Sequence, residues 1–196
     1  VSHSQTDPLV YVATHTTGLD EHEHEVIDLA VLDSDGNTLL HTAIFPESLE
    51  TADQDMLDTV GFDPGDWAPS PHFAKKALRL LGYLTRATIV GHNTQLDMRF
   101  INRLLRKAFV ASELEPEEIN EMMGRIDTLF VDTVTLAHEQ IGQMGLEETC
   151  IYLRIPYKAN HSALEDAKAT RAVYNMLSQA SAWKRWWWRW RAPKDD

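Results

Sequence analysis

Cysteine is nearly absent: Cys150 is the one cysteine in 196 residues, so no internal disulfide can hold the fold. Set among Leu146, Ile151 and Leu153, this thiol reads as buried filler and not as a nucleophile. Long hydrophobic runs are missing too, since no stretch approaches the roughly 20 apolar residues that a membrane helix needs. The opening Val1-Ser2-His3-Ser4-Gln5-Thr6-Asp7 has neither a basic flank nor an apolar run for export, and the expectation is a cytoplasmic protein. Basic charge is scarce as well, with 18 Lys and Arg against 30 Asp and Glu and a net charge of −12. Polyanion binding depends on clustered Lys and Arg displacing counterions, so broad nucleic-acid affinity across the whole surface is excluded. A local site that handles phosphates through metal cations stays open.

The little basic charge there is lies at one end. Lys184, Arg185, Arg189, Arg191 and Lys194 outnumber Asp195 and Asp196 by three, which leaves −15 for the rest of the chain. The length suits one domain with a sizeable core. Residues 1–182 are expected to form that domain and residues 183–196 a basic, Trp-rich tail.

Apolar runs with β-branched and aromatic members predict strands over Leu9–Thr14, Val26–Leu32 and Thr38–Phe45. The turn formers Asp33-Ser34-Asp35-Gly36-Asn37 make the last two a hairpin. Residues 46–71 shift to Asp, Glu, Gly and Pro, which predicts a long loop with a helical turn near Asp53–Val60. Helical spacing follows over Phe73–Thr85 and Leu96–Phe109, on either side of a short strand at Thr88–Val90. A surface helix within Glu113–Glu121, a last strand at Leu129–Asp132 and helices over Thr133–Gln140, Leu146–Leu153 and Ala163–Gln179 complete the order. Helices alternating with strands put some strands parallel to their neighbours, so a mixed sheet with helices on its faces is expected.

Three segments carry candidate chemistry: Thr16-Thr17-Gly18-Leu19 after the first strand, Val90-Gly91-His92-Asn93 with Asp97 before a helix, and His161-Ser162-Ala163-Leu164-Glu165-Asp166-Ala167. Each alone is a weak signal, because isolated helix carboxylates are usually solvated or act as caps. In this order and spacing they resemble the three motifs of the DEDDh family of 3′-to-5′ exonucleases, the group that includes polymerase proofreading domains and ribonuclease T-like trimming enzymes. Phe130-Val131-Asp132-Thr133-Val134-Thr135-Leu136-Ala137 also looks like the segment that precedes the family's third motif. The resemblance spans about residues 9–180 and implies an α/β, ribonuclease H-like fold, with a central mixed sheet of about five strands flanked by helices.

The family's reaction is phosphodiester hydrolysis by paired divalent cations roughly 3.5–4 Å apart, which needs several carboxylates. By resemblance, Asp97 matches the second-motif Asp, Asp166 the third-motif Asp, and His161 the general base, a role suited to a side chain that titrates near neutrality. Thr16, Thr17, Gly18 and Leu19 match the segment that holds the terminal nucleotide. The first motif reads Asp-x-Glu-Thr-Thr-Gly in the family, and its two carboxylates fall on Ala13 and His15 here. Ala13 has no lone pair for a metal. His15 with Asp97 and Asp166 is a conceivable single-metal set, better suited to Mn²⁺, Ni²⁺ or Zn²⁺ than to Mg²⁺. Mg²⁺ or Mn²⁺ is the implied cofactor if the site takes a metal at all, and no metal is the alternative.

His22 and His24 read as part of a solvated loop, and His92 and Asn93 as shaping a turn. The segment Trp183–Arg191 holds five of the six tryptophans and four basic residues. It has three readings: base stacking with phosphate contact, insertion at an anionic membrane, or a continuing last helix that packs Trp186, Trp187 and Trp190 on the body or a second subunit. The functional expectation is a domain that binds the 3′ end of single-stranded DNA or RNA with crippled hydrolysis. The alternative is a non-catalytic adaptor for nucleic acid or for a protein partner, a homodimer through the tail included.

Overall fold

Residues 7–65, 73–126, 129–157 and 162–191 are described by the structure, a computed structural model; at 74, 186 and 189–191 only the backbone is described. Strands β1 (Leu9–Thr16), β2 (Val26–Leu32) and β3 (Thr38–Ala43) form an antiparallel meander. The β2–β3 turn is built by Asp33, whose Oδ1 accepts the backbone N–H groups of Asp35 and Asn37, and by Gly36 at a φ of 92°. Glycine reaches that conformation without a steric penalty. β2 is buried along its whole length, whereas β3, at the sheet edge, turns Leu40 and Thr42 inward and His41 outward.

Helix α1 (Gln54–Thr59) starts on the side chain of Asp53, which accepts from the N–H groups of Asp55 and Met56. Then come α2 (Phe73–Leu84), β4 (Thr88–Gly91), α3 (Thr94–Val110), α4 (Pro116–Met123) and β5 (Phe130–Asp132). β4 runs parallel to β1 and β5 parallel to β4, which gives the sheet order β3-β2-β1-β4-β5. α5 (Thr133–Ile141), α6 (Leu146–Leu153), α7 (Ala163–Ser178) and α8 (Ala182–Arg191) complete the described chain. The five-stranded mixed sheet flanked by helices is the architecture the sequence implied; β3 ends two residues short of the expected Phe45.

The period-2 alternation of β1 sorts its side chains between two layers. Val10 and Val12 join Leu29 and Val31 under α2 and α3, where Leu80, Leu84, Phe100 and Ile101 are fully or almost fully buried. Tyr11 and Ala13 face the other way, with Ala30, Leu32, Ala163 and Ala167. Alanine on both sides of that contact lets α7 lie close to the sheet, so its first turn comes over the end of β1. A second cluster, Ala137, Ile141, Cys150, Val173, Leu177 and Trp188, packs α5, α6 and α8 against α7.

The Trp-rich segment departs from the expected continuation of the last helix. α7 ends at Ser178 and α8 starts afresh at Ala182, with the Ser181 hydroxyl accepting the N–H of Lys184. That break resets the rotational phase, so Trp188 is buried and Trp187 packs beside it, while Trp183 is 69% exposed. The side chains of Trp186 and Trp190 lie outside the described residues, as do residues 192–196. Among the described residues, no helix is long and apolar enough to cross a membrane.

Candidate functional site

The carboxyl ends of parallel strands are where open α/β sheets hold ligands, and here β1, β4 and β5 end together beside the first turns of α3 and α7. Asp97 stands in the first turn of α3 and Asp166 in that of α7. The site is placed by backbone geometry that local sequence encodes. Asn93 takes a left-handed φ of 74° to start α3, and its N–H donates to Asp132 Oδ1 at 3.0 Å. The same oxygen accepts the N–H of Val134, so Asp132 caps α5 and fixes the β4–α3 turn together. His92 sits between the Thr133 hydroxyl (Nδ1, 2.9 Å) and the Met144 carbonyl (Nε2, 2.8 Å). Burial holds its basicity down, opposed by the Met144 contact and by Asp132. His92 and Asn93 thus shape the turn.

Asp97 is 8% exposed, and its Oδ1 accepts two hydrogen bonds from Thr14, the N–H at 3.0 Å and the hydroxyl at 2.7 Å. Burial pushes this carboxyl up to about 7; the Thr14 bonds oppose the shift, and the charges of Asp132 and Asp166 add to it. Asp166 has both oxygens engaged by protein groups. Tyr157 donates its hydroxyl to Oδ1 at 2.8 Å, and His15 Nε2 lies 3.0 Å from Oδ2. Burial and the hydrogen bond to Asp166 raise the Tyr157 phenol far above its ordinary range, so it stays a donor. Ala13, 8% exposed, presents a methyl group to this face of the sheet.

These donors do not fit a two-metal centre. Ala13 supplies no oxygen, Asp97 is turned to Thr14, and Asp166 is taken up by Tyr157 and His15. Among the described residues, no group of three or more His, Cys, Asp or Glu side chains is placed to hold a metal ion. His15 and Asp166 are brought together directly, while Asp97 reaches β1 through Thr14. His161 lies outside the described residues.

The segment Thr16–Leu19 bends away from the end of β1, and its hydroxyls are held by other protein groups. The Thr16 hydroxyl donates to the Gly18 carbonyl at 2.7 Å, and the Thr17 hydroxyl accepts the N–H of Glu25 at 2.9 Å. A Cβ on Gly18 would stand 2.3 Å from the ring of His24, so glycine is required for the close approach. His24 is therefore half-buried against the turn, unlike the exposed His22. Leu19 is 62% exposed at the tip.

Three residues of the site were not singled out by any motif. Thr14 and Tyr157 carry no local signal. Asp28 does: a lone carboxylate within the otherwise apolar run of β2 must find partners. It faces His15 across the β1–β2 pair, accepts the N–H of Ala163 at 2.9 Å and lies 3.1 Å from His41 Nε2. Ser162 makes no side-chain cap of its own for α7, so Asp28 supplies the acceptor from across the sheet.

Comparison with known proteins places this geometry. A protein-family model described as an exonuclease family, RNase_T, matches residues 14–174. The DNA polymerase III subunit epsilon of Buchnera aphidicola subsp. Baizongia pistaciae (strain Bp) is 24% identical over 187 residues, covering 88% of this chain and 71% of that protein. A product-bound exonuclease I structure superposes with a TM-score of 0.65 at 16% identity, covering 93% of this chain and 46% of that one. The zinc-bound form of an E. coli exonuclease I–single-stranded DNA complex gives 0.66 at 17% identity, covering 92% and 42%. The chain thus spans less than half the length of these exonuclease I structures. Exonucleases of this type use divalent metals.

Proposed function

The chain belongs to the DEDDh-type exonuclease family, and we propose that it binds the 3′ end of single-stranded DNA or RNA with hydrolysis crippled at the first motif. One observation carries the reading: Asp166, the third-motif carboxylate, spends both oxygens on Tyr157 and His15, beside a methyl group at Ala13. An ion entering here would have to displace two protein hydrogen bonds to a carboxylate, each worth about 1.5–3 kcal/mol, without a bridging ligand to compensate. The loop Thr16–Leu19, with Leu19 exposed beside the site, would hold the terminal nucleotide. His161 is the proposed proton acceptor for any residual activity, with Asp97 and Asp166 as the remaining acidic groups.

His15, Asp97 and Asp166 are the donor set we assign to any single ion, which would have to open the His15–Asp166 contact first because the three are not grouped around one point. Imidazole favours Mn²⁺ or a borderline metal such as Zn²⁺ over Mg²⁺. The adaptor reading drops hydrolysis altogether and takes nucleic acid or a protein as its partner, and the same saturation of Asp166 favours it; a cytoplasmic location suits both.

The test uses a 5′-labelled single strand with Mg²⁺ or Mn²⁺. The native chain is expected to leave it intact while retarding strands with a free 3′ end, and Ala13→Asp with His15→Glu is expected to shorten it from that end. Robust Mg²⁺-dependent digestion by the native chain would overturn the reading.

A further inference from the structure

Away from this site, a cavity of about 550 Å³ opens between the end of α6 and α8, lined by Tyr152, Arg154, Lys184, Trp187 and Trp188. Its chemistry is aromatic rings edged with cations. On α8 two columns stand at i,i+4 spacing: Trp183 with Trp187, and Lys184 with Trp188, the ammonium 4.9 Å from the indole ring. Trp188 is anchored in the core, and its carbonyl accepts the Tyr152 hydroxyl at 3.0 Å. Trp187 is half-buried and Trp183 exposed, which leaves ring surface toward solvent. Arg154 and Lys184 are exposed, and neither is ion-paired with a carboxylate among the described residues.

We propose that this groove binds single-stranded nucleic acid upstream of the 3′ end. The inference rests on the end-binding reading above and adds a second contact region to it. Two further observations favour this occupant. In a chain of net charge −12, Lys184 and Arg185 stand exposed on α8 and Arg154 is exposed at the end of α6, so cationic charge for a polyanion is gathered near the groove. The groove also lies near the site: Ile155 and Pro156 alone separate Arg154 from Tyr157, whose hydroxyl lies on Asp166. A trans chain spans at most about 3.6 Å per residue, so the Cα atoms of Arg154 and Tyr157 lie within about 11 Å of each other. Aromatic faces stack on any base, and cations meet the phosphates, which gives length-dependent and sequence-tolerant binding.

The experiment measures fluorescence anisotropy of the full chain with oligothymidylates of about 4 and about 16 nucleotides over a range of salt. The native chain is expected to hold the long strand more tightly. Arg154→Asn with Lys184→Gln changes two exposed side chains, and asparagine tolerates the left-handed backbone at 154. This variant should weaken long-strand binding about tenfold and lower the slope of log affinity against log salt by about 1.4. Its preference for a free 3′ end on the short strand should stay unchanged. Trp183→Ala, an independent surface change, should reduce the length effect without altering the salt slope.

An unchanged length effect and salt slope in both variants would overturn the groove. So would loss of dimerisation, or of binding to phosphatidylserine vesicles, with strand affinity intact. If the short strand shows no 3′-end preference while the length effect is present and lost in the variants, the end-binding reading fails and the groove stands.

Discussion

Tyr157 places its hydroxyl 2.8 Å from Oδ1 of Asp166, on the carboxylate whose other oxygen faces His15 at 3.0 Å. The site is therefore closed by the protein's own donors as well as short of ligands. Replacing Ala13 and His15 alone restores two carboxylates but leaves Tyr157 in place. Adding Tyr157→Phe to Ala13→Asp and His15→Glu is expected to raise Mn²⁺-dependent 3′-end digestion about tenfold, the equivalent of one charge-assisted hydrogen bond. Equal rates for the double and triple variants would show that Tyr157 does not compete with metal.

Asp28 joins three elements through one buried carboxylate, taking the Ala163 N–H of α7 and facing His41 on β3. Asp28→Ala leaves a buried helix N–H without its acceptor, and a loss of about 2–4 kcal/mol is expected in urea denaturation. Asp28→Asn keeps an acceptor oxygen and should lose less than half of that. If both variants match the native midpoint, the bond does not stabilise the fold.

Cys150 is 1% exposed, and burial pushes its thiol up to about 11, with Asp166 and Glu147 adding to the shift. Such a thiol is almost wholly protonated at pH 8, and it is inert as well as inaccessible. Iodoacetamide should label it slowly in the folded chain and rapidly in urea. The sign of the linkage follows from the raised value. The folded state keeps the proton that the unfolded chain gives up near its ordinary thiol range. This contribution to stability is complete below that range and is lost as pH climbs through about 11.

Trp188 and Trp183 sit on one helix with opposite environments, 4% and 69% exposed. Trp188→Ala empties the second core cluster and should cost about 3–5 kcal/mol. Trp183→Ala should change stability by less than about 0.5 kcal/mol. Thermal melts of the two variants decide whether α8 is an integral part of the domain or an appended tail; equal melting temperatures would favour the tail.

Much of the architecture was legible in the sequence because it rests on local periodicity. The strand of Val26–Leu32, the Asp33–Asn37 turn and the helical spacing of Phe100, Ile101 and Leu105 each identify themselves within a few residues. The candidate site was legible as a set of positions, since motif spacing points to Ala13, His15, Asp97 and Asp166 without any structure. The run Trp183–Arg191 was legible only as tryptophans interleaved with cations, because the three residues between α7 and α8 decide which tryptophans face inward.

The sequence by itself thus determined the order of elements and the residue types Ala13 and His15 at the positions where the resemblance expects carboxylates, because those follow from residue type and short-range spacing. Only the tertiary structure decided what the remaining polar groups do. His15 meets Asp166 across 151 residues, Asp28 meets Ala163 across 135, and Thr14 meets Asp97 across 83. A local pattern fixes which face a side chain occupies. Its hydrogen-bond partner depends on which helix the sheet brings over that face, and here α7 brings Asp166 to His15 and Tyr157.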